Sequence, residues 1–257
     1  MDFSRYSLAL IFVVSLLAIF AATELGRQLG LLASRRQRES ISTIEGAILG
    51  LLALLIAFTF SMALSLYEVR RDALLNEANA IGTAALRARL LPAPINAECL
   101  NLLQKYIQTR LEIARSTASL PEITAAVARS NAIQEALWQQ AKAVAANDNA
   151  MVPTGLFIQS LNEMIDDQEK RLTAFANRVP NIILMALYGV AIFSGAISGY
   201  ASGLEVQRAQ LPIYAMAVLV AAMILLIQDL DRPSAGFIKV SQQPMVDVAT
   251  SISAFLD

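Results

Sequence analysis

The chain has 257 residues, 56% of them apolar and 16% charged, with a formal net charge of -1, one cysteine and no histidine, and its mean hydropathy is +0.53. This is the composition of a membrane protein. It excludes an intramolecular disulfide, the usual Cys/His zinc sites and the Ser-His and Cys-His nucleophile pairs.

In chain order, four charge-free runs are long enough for a hydrocarbon core of about 30 Å, which takes about 20 helical residues. They are Tyr6 to Thr23, Gly46 to Tyr67, Val179 to Leu204 and Ala209 to Gln228. Each is predicted to be a transmembrane helix. The first reads as a retained helix and not a cleaved leader, because "MDFSR" is a poor positive start and Phe20 stands at the wrong place for the one plausible cut, after Ala22. The charged loop with Arg27, Arg35, Arg36 and Arg38 competes with cations on the opposite side, Arg5, Arg70, Arg71, Lys170, Arg171, Arg178, Arg232 and Lys239, so the charge rule leaves orientation open.

Between the second and third spans lies a polar, alanine-rich stretch punctuated by Pro92, Pro94, Pro121 and Pro153. Proline lacks the amide donor and disfavours helix in the residue before it, so Pro92 and Pro94 end one helix, while Pro121 and Pro153 suit a first turn. Four helices of about 25 residues follow, the length of an antiparallel bundle of roughly 38 Å. Its predicted apolar faces include Leu74, Leu75, Ala78, Ile81 and Ala85 on the first helix and Leu100, Leu103, Ile107, Leu111 and Ala114 on the second, with Trp138 and Phe157 in the core. The fold expected is therefore an all-α membrane protein with four transmembrane helices and an inserted extramembrane four-helix bundle. That bundle would continue from the second and into the third transmembrane helix. The corresponding parts are 1–68, 69–178, 179–228 and a tail, 229–257.

Small residues recur at helical spacing as Gly46 and Gly50, and again as Gly195, Gly199 and Gly203, a pattern that lets helix backbones approach closely in lipid. Asp229 and Asp231 at the end of the fourth span read first as an exposed anchor at the membrane exit, with metal ligation as the lesser alternative. Asp166, Asp167 and Glu169 fit a solvated helix face.

The stretch "SMALSLYEVRRDALLNEANAIGT" runs from lipid into water with no proline and no glycine before Gly82. Along it Ser61, Ser65, Glu68, Asp72, Asn76, Asn79 and Thr83 follow at steps of three or four and form one polar stripe. A stripe that enters the membrane usually faces a bundle interior or a water-filled cavity. On the opposite side, Leu54, Phe58 and Met62 are expected to follow one another at i, i+4 and i+8, as a hydrophobic constriction would. Ser42 and Glu45 have capping-box spacing at the start of this rod.

The segments "AFTFSMALSLYEVRRDALLNEANAIGTAALRARLLP", from Ala57 to Pro92, and "QDLDRPSAGFIKVSQQPM", from Gln228 to Met245, resemble the two signature regions of the bacterial bestrophin-like domain family. That family is named for similarity to the bestrophin anion channels, and the likeness covers nearly the whole chain. It implies a homo-oligomeric ion channel, anion-conducting and pentameric, in a bacterial inner membrane with the helical bundle cytoplasmic. Leu54, Phe58, Ser61, Met62, Ser65, Glu68 and Asp72 would line the pore, and Asp229 and Asp231 would lie near the acidic position of the calcium-sensitive members. The expected partners are the lipid bilayer, further copies of the chain and small inorganic ions, with no nucleic acid, cofactor or catalytic set. A second reading is a sensor or scaffold whose bundle binds a ligand, with Arg87 and Arg89 as anion contacts.

Overall fold

Hydrocarbon supplies no partner for a backbone amide, so the apolar runs must satisfy their own hydrogen bonds, and they do so as helices. The computed structural model describes residues 6–33, 38–115, 120–147, 151–204, 210–233 and 236–256. Arg5, Arg35, Arg36 and Ala209 lie outside the described residues, as do the side chains of Arg38 and Ala114. The described chain is all helical, and four of its helices are long and apolar enough to cross a membrane. The elements are α1 (Leu8–Leu32), α2 (Arg38–Ala88), α3 (Ile95–Arg115), α4 (Leu120–Asn147), α5 (Leu156–Ala176), α6 (Asn181–Leu204), α7 (Leu211–Leu230) and α8 (Gln243–Ser253).

The chain divides into two compact units. The first comprises Met1–Tyr67 and Arg178–Ile238, the second Glu68–Asn177 and Lys239–Asp257. In the first, α1 and α6 are packed backbone to backbone. A methyl group on Gly199 would fall on the Thr23 carbonyl, one on Gly203 on the Arg27 carbonyl, and one on Gly195 would meet the Thr23 hydroxyl at 2.9 Å. Gly26 and Gly30 return the fit against Ala196 and Tyr200. Partners rise in number together along both helices, so the two run parallel. Two hydroxyls of this unit are turned back on their own helix, Thr23 onto the Ile19 carbonyl at 2.8 Å and Thr59 onto Leu55 at 2.7 Å, which satisfies them where water is absent. Around this seam, Leu52, Ala63, Leu184, Leu187, Ala221, Ile224 and Ile227 form the core.

The second unit has its own core, which includes Leu74, Ala78, Ile81, Ala85, Leu100, Leu103, Ile107, Leu111 and Phe157, with Trp138 packed against it. Leu75 is the exception among the residues expected there, being 43% exposed. It stands one residue, or about 100° of helix, past the core-facing Leu74. The tail does not stand apart. Met245, Ala249 and Ile252 of α8 are buried in the same core, and Gln104 donates to the Ser253 hydroxyl at 2.9 Å.

Two expectations about continuity change. The helix that carries the stripe is described from Arg38 onward, so Ser42 and Glu45 lie within it and not at a cap. The chain is not helical between α5 and α6: residues 177–180 break it, because Pro180 disfavours helix at Val179. The Val179 amide donates instead to Asp231 Oδ1 at 2.7 Å.

The close seam yields a direct test. Gly199→Ala should lower the thermal midpoint in detergent, by the equivalent of about 1–3 kcal/mol for overpacking. Gly189→Ala on the same helix, where a methyl group meets nothing within 4 Å, should not.

Candidate functional site

The helix α2 has two faces. Leu52, Thr59, Ala63, Arg70, Leu74, Glu77, Ala78 and Ile81 are buried. Leu54, Phe58, Ser61, Met62, Ser65, Glu68, Asp72, Asn76 and Asn79 are exposed, and Thr83 is half-buried. The apolar and polar sets do not oppose each other, contrary to expectation, and their spacing already placed them together. At 3.6 residues per turn, Phe58 and Ser65 are only about 20° apart, so the line from Leu54 and Phe58 runs straight on into Ser65, Glu68 and Asp72. One exposed strip thus passes from apolar to hydroxyl to carboxylate along a single helix. Gly46 and Gly50 lie at its start, also exposed, and a methyl group on either would touch nothing within 4 Å.

Within the second unit the strip borders a polar cleft of about 390 Å³, lined by Asn76, Asn79 and Thr83 of α2 and by Glu163, Asp166, Asp167 and Lys170 of α5. Lys170 Nζ is held on Asp167 Oδ1 at 2.7 Å. That bond raises the ammonium above its ordinary pKa, so the lysine stays charged and neutralises one carboxylate. Glu163 and Asp166 leave the cleft acidic.

Behind the strip, α2 buries a carboxylate. Glu77 is fully enclosed, with Arg110 Nε 2.7 Å from Oε1 and Arg171 Nη1 2.6 Å from Oε2. The Tyr106 hydroxyl is 3.0 Å from Glu77 Oε1 and 2.8 Å from Gln168 Oε1, and its one proton can serve only one of them. Gln168 in turn donates to Asn131 at 2.8 Å, Gln134 to the Tyr106 hydroxyl at 3.4 Å, and Arg171 Nη2 to Gln242 at 3.1 Å. Burial, and then the Glu77 charge, hold the Tyr106 phenol well above its ordinary range, so it is a neutral hydroxyl in any physiological buffer. Burial lowers the Arg171 pKa, though a guanidinium remains charged throughout. Two cations share one anion here, and α2, α3, α4, α5 and the lead into α8 all supply a partner. Nothing in the helical spacing singled out this centre. Its signal was available, since Glu77, Arg110 and Arg171 are each a charge set in an apolar stripe.

The remaining candidates are accounted for by packing. Asp229 accepts the Phe237 amide at 2.6 Å and the Ile238 amide at 3.0 Å, and Gly236 leaves room for that carboxylate. Asp231 likewise accepts the Val179 amide, and no cluster of three or more metal-type ligands exists among the described residues. Arg87 donates to the Leu156 carbonyl at 2.7 Å and Arg89 lies 4.4 Å over the Phe255 ring, so both anion contacts of the sensor reading are engaged in packing. Cys99 is buried, and burial, with the nearby Glu98 charge second, pushes its thiol up to about 12.

Comparison with known proteins gives a consistent picture. Residues 10–245 match the model of the Bestrophin-like domain. Among solved structures, a mutant of a bacterial bestrophin homologue from Klebsiella pneumoniae aligns over 98% of this chain and 97% of its own, with a TM-score of 0.68 at 14% identity. A second structure of a homologue from that organism aligns over 96% of each chain, with a TM-score of 0.66 at 15% identity. At such identities the likeness is one of fold. A comparison with curated protein sequences found no match.

Removing one member of the buried centre should cost far more than a surface change. Glu77→Gln leaves two guanidiniums without a counter-charge and should destabilise the fold by about 3–5 kcal/mol. Tyr106→Phe removes the hydrogen bond the hydroxyl donates and the one it accepts from Gln134, and should cost about 1–3 kcal/mol. Chemical denaturation followed by circular dichroism measures both, and equal small losses would refute a charge-centred role.

Proposed function

The chain belongs to the Bestrophin-like domain family, and on that premise we propose that it is a homo-oligomeric ion channel whose path is lined by the exposed face of α2. The observation that carries the proposal is the strip itself. An unbroken line of exposed side chains from Leu54 to Asn79 crosses from a lipid-length span into polar sequence, where hydroxyls and carboxylates facing hydrocarbon would each cost several kcal/mol. One helix face supplies one wall of a passage, and copies around an axis supply the others. Five copies, a bacterial inner membrane and a cytoplasmic second unit are what the family resemblance adds. Leu54, Phe58 and Met62 form the apolar constriction, of the kind that gates by dewetting.

The family resemblance implies anions, but the charges on this face favour small cations. Its ionised groups within the strip are Glu68 and Asp72. Arg71 lies about 100° away around the helix, 3.4 Å from Asp72. Repeated around an axis, Glu68 and Asp72 become rings of carboxylates, and such rings select cations.

Liposomes containing the purified protein should pass sodium or potassium, with a reversal potential that follows the cation gradient. Glu68→Gln with Asp72→Asn should cut the cation-to-anion permeability ratio about thirtyfold, as expected for roughly 1 kcal/mol per lost charge. An anion-following potential overturns the selectivity and leaves the channel; a monodisperse monomer without flux overturns the channel. Cysteines at Ser61 and Ser65 should react with water-soluble thiol reagents, with Cys99 silent because it is buried. Reaction only with lipid-phase probes would place the strip against lipid.

A further inference from the structure

The tight contact of α1 and α6 covers only part of their length. From Ile19 to Gly30 on one side and Gly195 to Gly203 on the other, small residues bring the backbones together. Before that, α1 carries Leu10, Ile11 and Val14 and α6 carries Met185 and Ile192, and bulky side chains hold the helices apart. A cleft of about 380 Å³ opens there, lined by Tyr6, Leu10, Val14 and Ala18 with Met185 and Ile192 among others. The volume is that of a ligand pocket.

We propose that this cleft holds one acyl chain of a membrane phospholipid. Its walls are apolar apart from the hydroxyls of Tyr6, Ser15 and Tyr188, and Ser15 donates its proton to the Ile11 carbonyl at 2.6 Å. The cleft lies on helices of membrane-spanning length and composition, and it continues the exposed apolar surface of Val13, Val14 and Leu17, the surface that such a helix presents to lipid. From Tyr6 to Ala18 it extends roughly 18 Å along α1, about one leaflet of a core near 30 Å thick. That depth suits a single chain entering from the interface at Tyr6, an aromatic residue placed where such rings prefer to sit.

The inference rests on the membrane assignment alone, so a protein that conducts no ions would still show it. The full chain, purified in mild detergent and examined by native mass spectrometry with lipid extraction, should retain one phospholipid per chain. Val14→Trp and Ala18→Trp fill the cleft and should lower that retention at least several-fold, whereas Leu29→Trp, exposed on α1 outside the cleft, should not. A second measurement needs no variant: a spin-labelled phospholipid added to the wild-type protein should show one immobilised component per chain, displaced by unlabelled phospholipid. Absence of that component overturns the proposal, as does equal lipid retention in folded Val14→Trp. Disulfide cross-linking of Val14→Cys between copies in membranes would show that a neighbouring chain fills the cleft, and would overturn it too.

Discussion

The rotation of α2 about its own axis is the constraint on which the rest turns, and Glu77 fixes it. A carboxylate taken out of water must meet its counter-charges or lose several kcal/mol, so the face that carries Glu77 is held toward Arg110 and Arg171. Five residues earlier on the helix, Asp72 lies about 140° away around the axis, which turns it outward with Glu68, Asn76 and Asn79. The exposed strip is therefore exposed because its back is anchored. Buried ion pairs are weak evidence for stability in general, and the value of this one lies in register: a helix of 51 residues with long apolar stretches could otherwise rotate or slide against its neighbours at little cost.

The same centre connects parts of the second unit that are distant in sequence. Glu77 and Arg171 are 94 residues apart, and Arg171 also holds Gln242 in the lead to α8. Because α8 buries Met245, Ala249 and Ile252 in the shared core, the tail is part of the unit's packing. Charge is thus sorted by depth. The buried centre has an excess of cations, and the outward strip and its cleft have an excess of carboxylates. This separation supports the cation-selective reading of the proposed channel.

In the first unit the organising device is size in place of charge. Lipid gives no hydrophobic drive for helix association, so contact depends on how closely backbones can approach. Glycine and alanine permit it along the later part of α1 and α6, and larger side chains forbid it along the earlier part. A seam and a cleft on the same helix pair are two results of one sequence gradient.

The all-helical class, the four spans and the proline-bounded helices of the second unit were legible in the sequence because each follows from a local rule: span length in hydrocarbon, or the missing amide of proline. The polar stripe from Ser61 to Thr83 was legible for the same reason, being a matter of period. The sequence also showed small-residue spacing in Gly46 and Gly50 and in Gly195, Gly199 and Gly203 alike, but only tertiary structure decided that the second set meets α1 while a methyl group on the first would touch none of the described residues within 4 Å. It likewise decided that Asp229 and Asp231 accept backbone amides, that residues 177–180 are not helical, and that Glu77, Arg110 and Arg171 converge. Spacing along a helix fixes which side chains share a face. What that face touches depends on packing between segments tens of residues apart, and no local pattern carries that information.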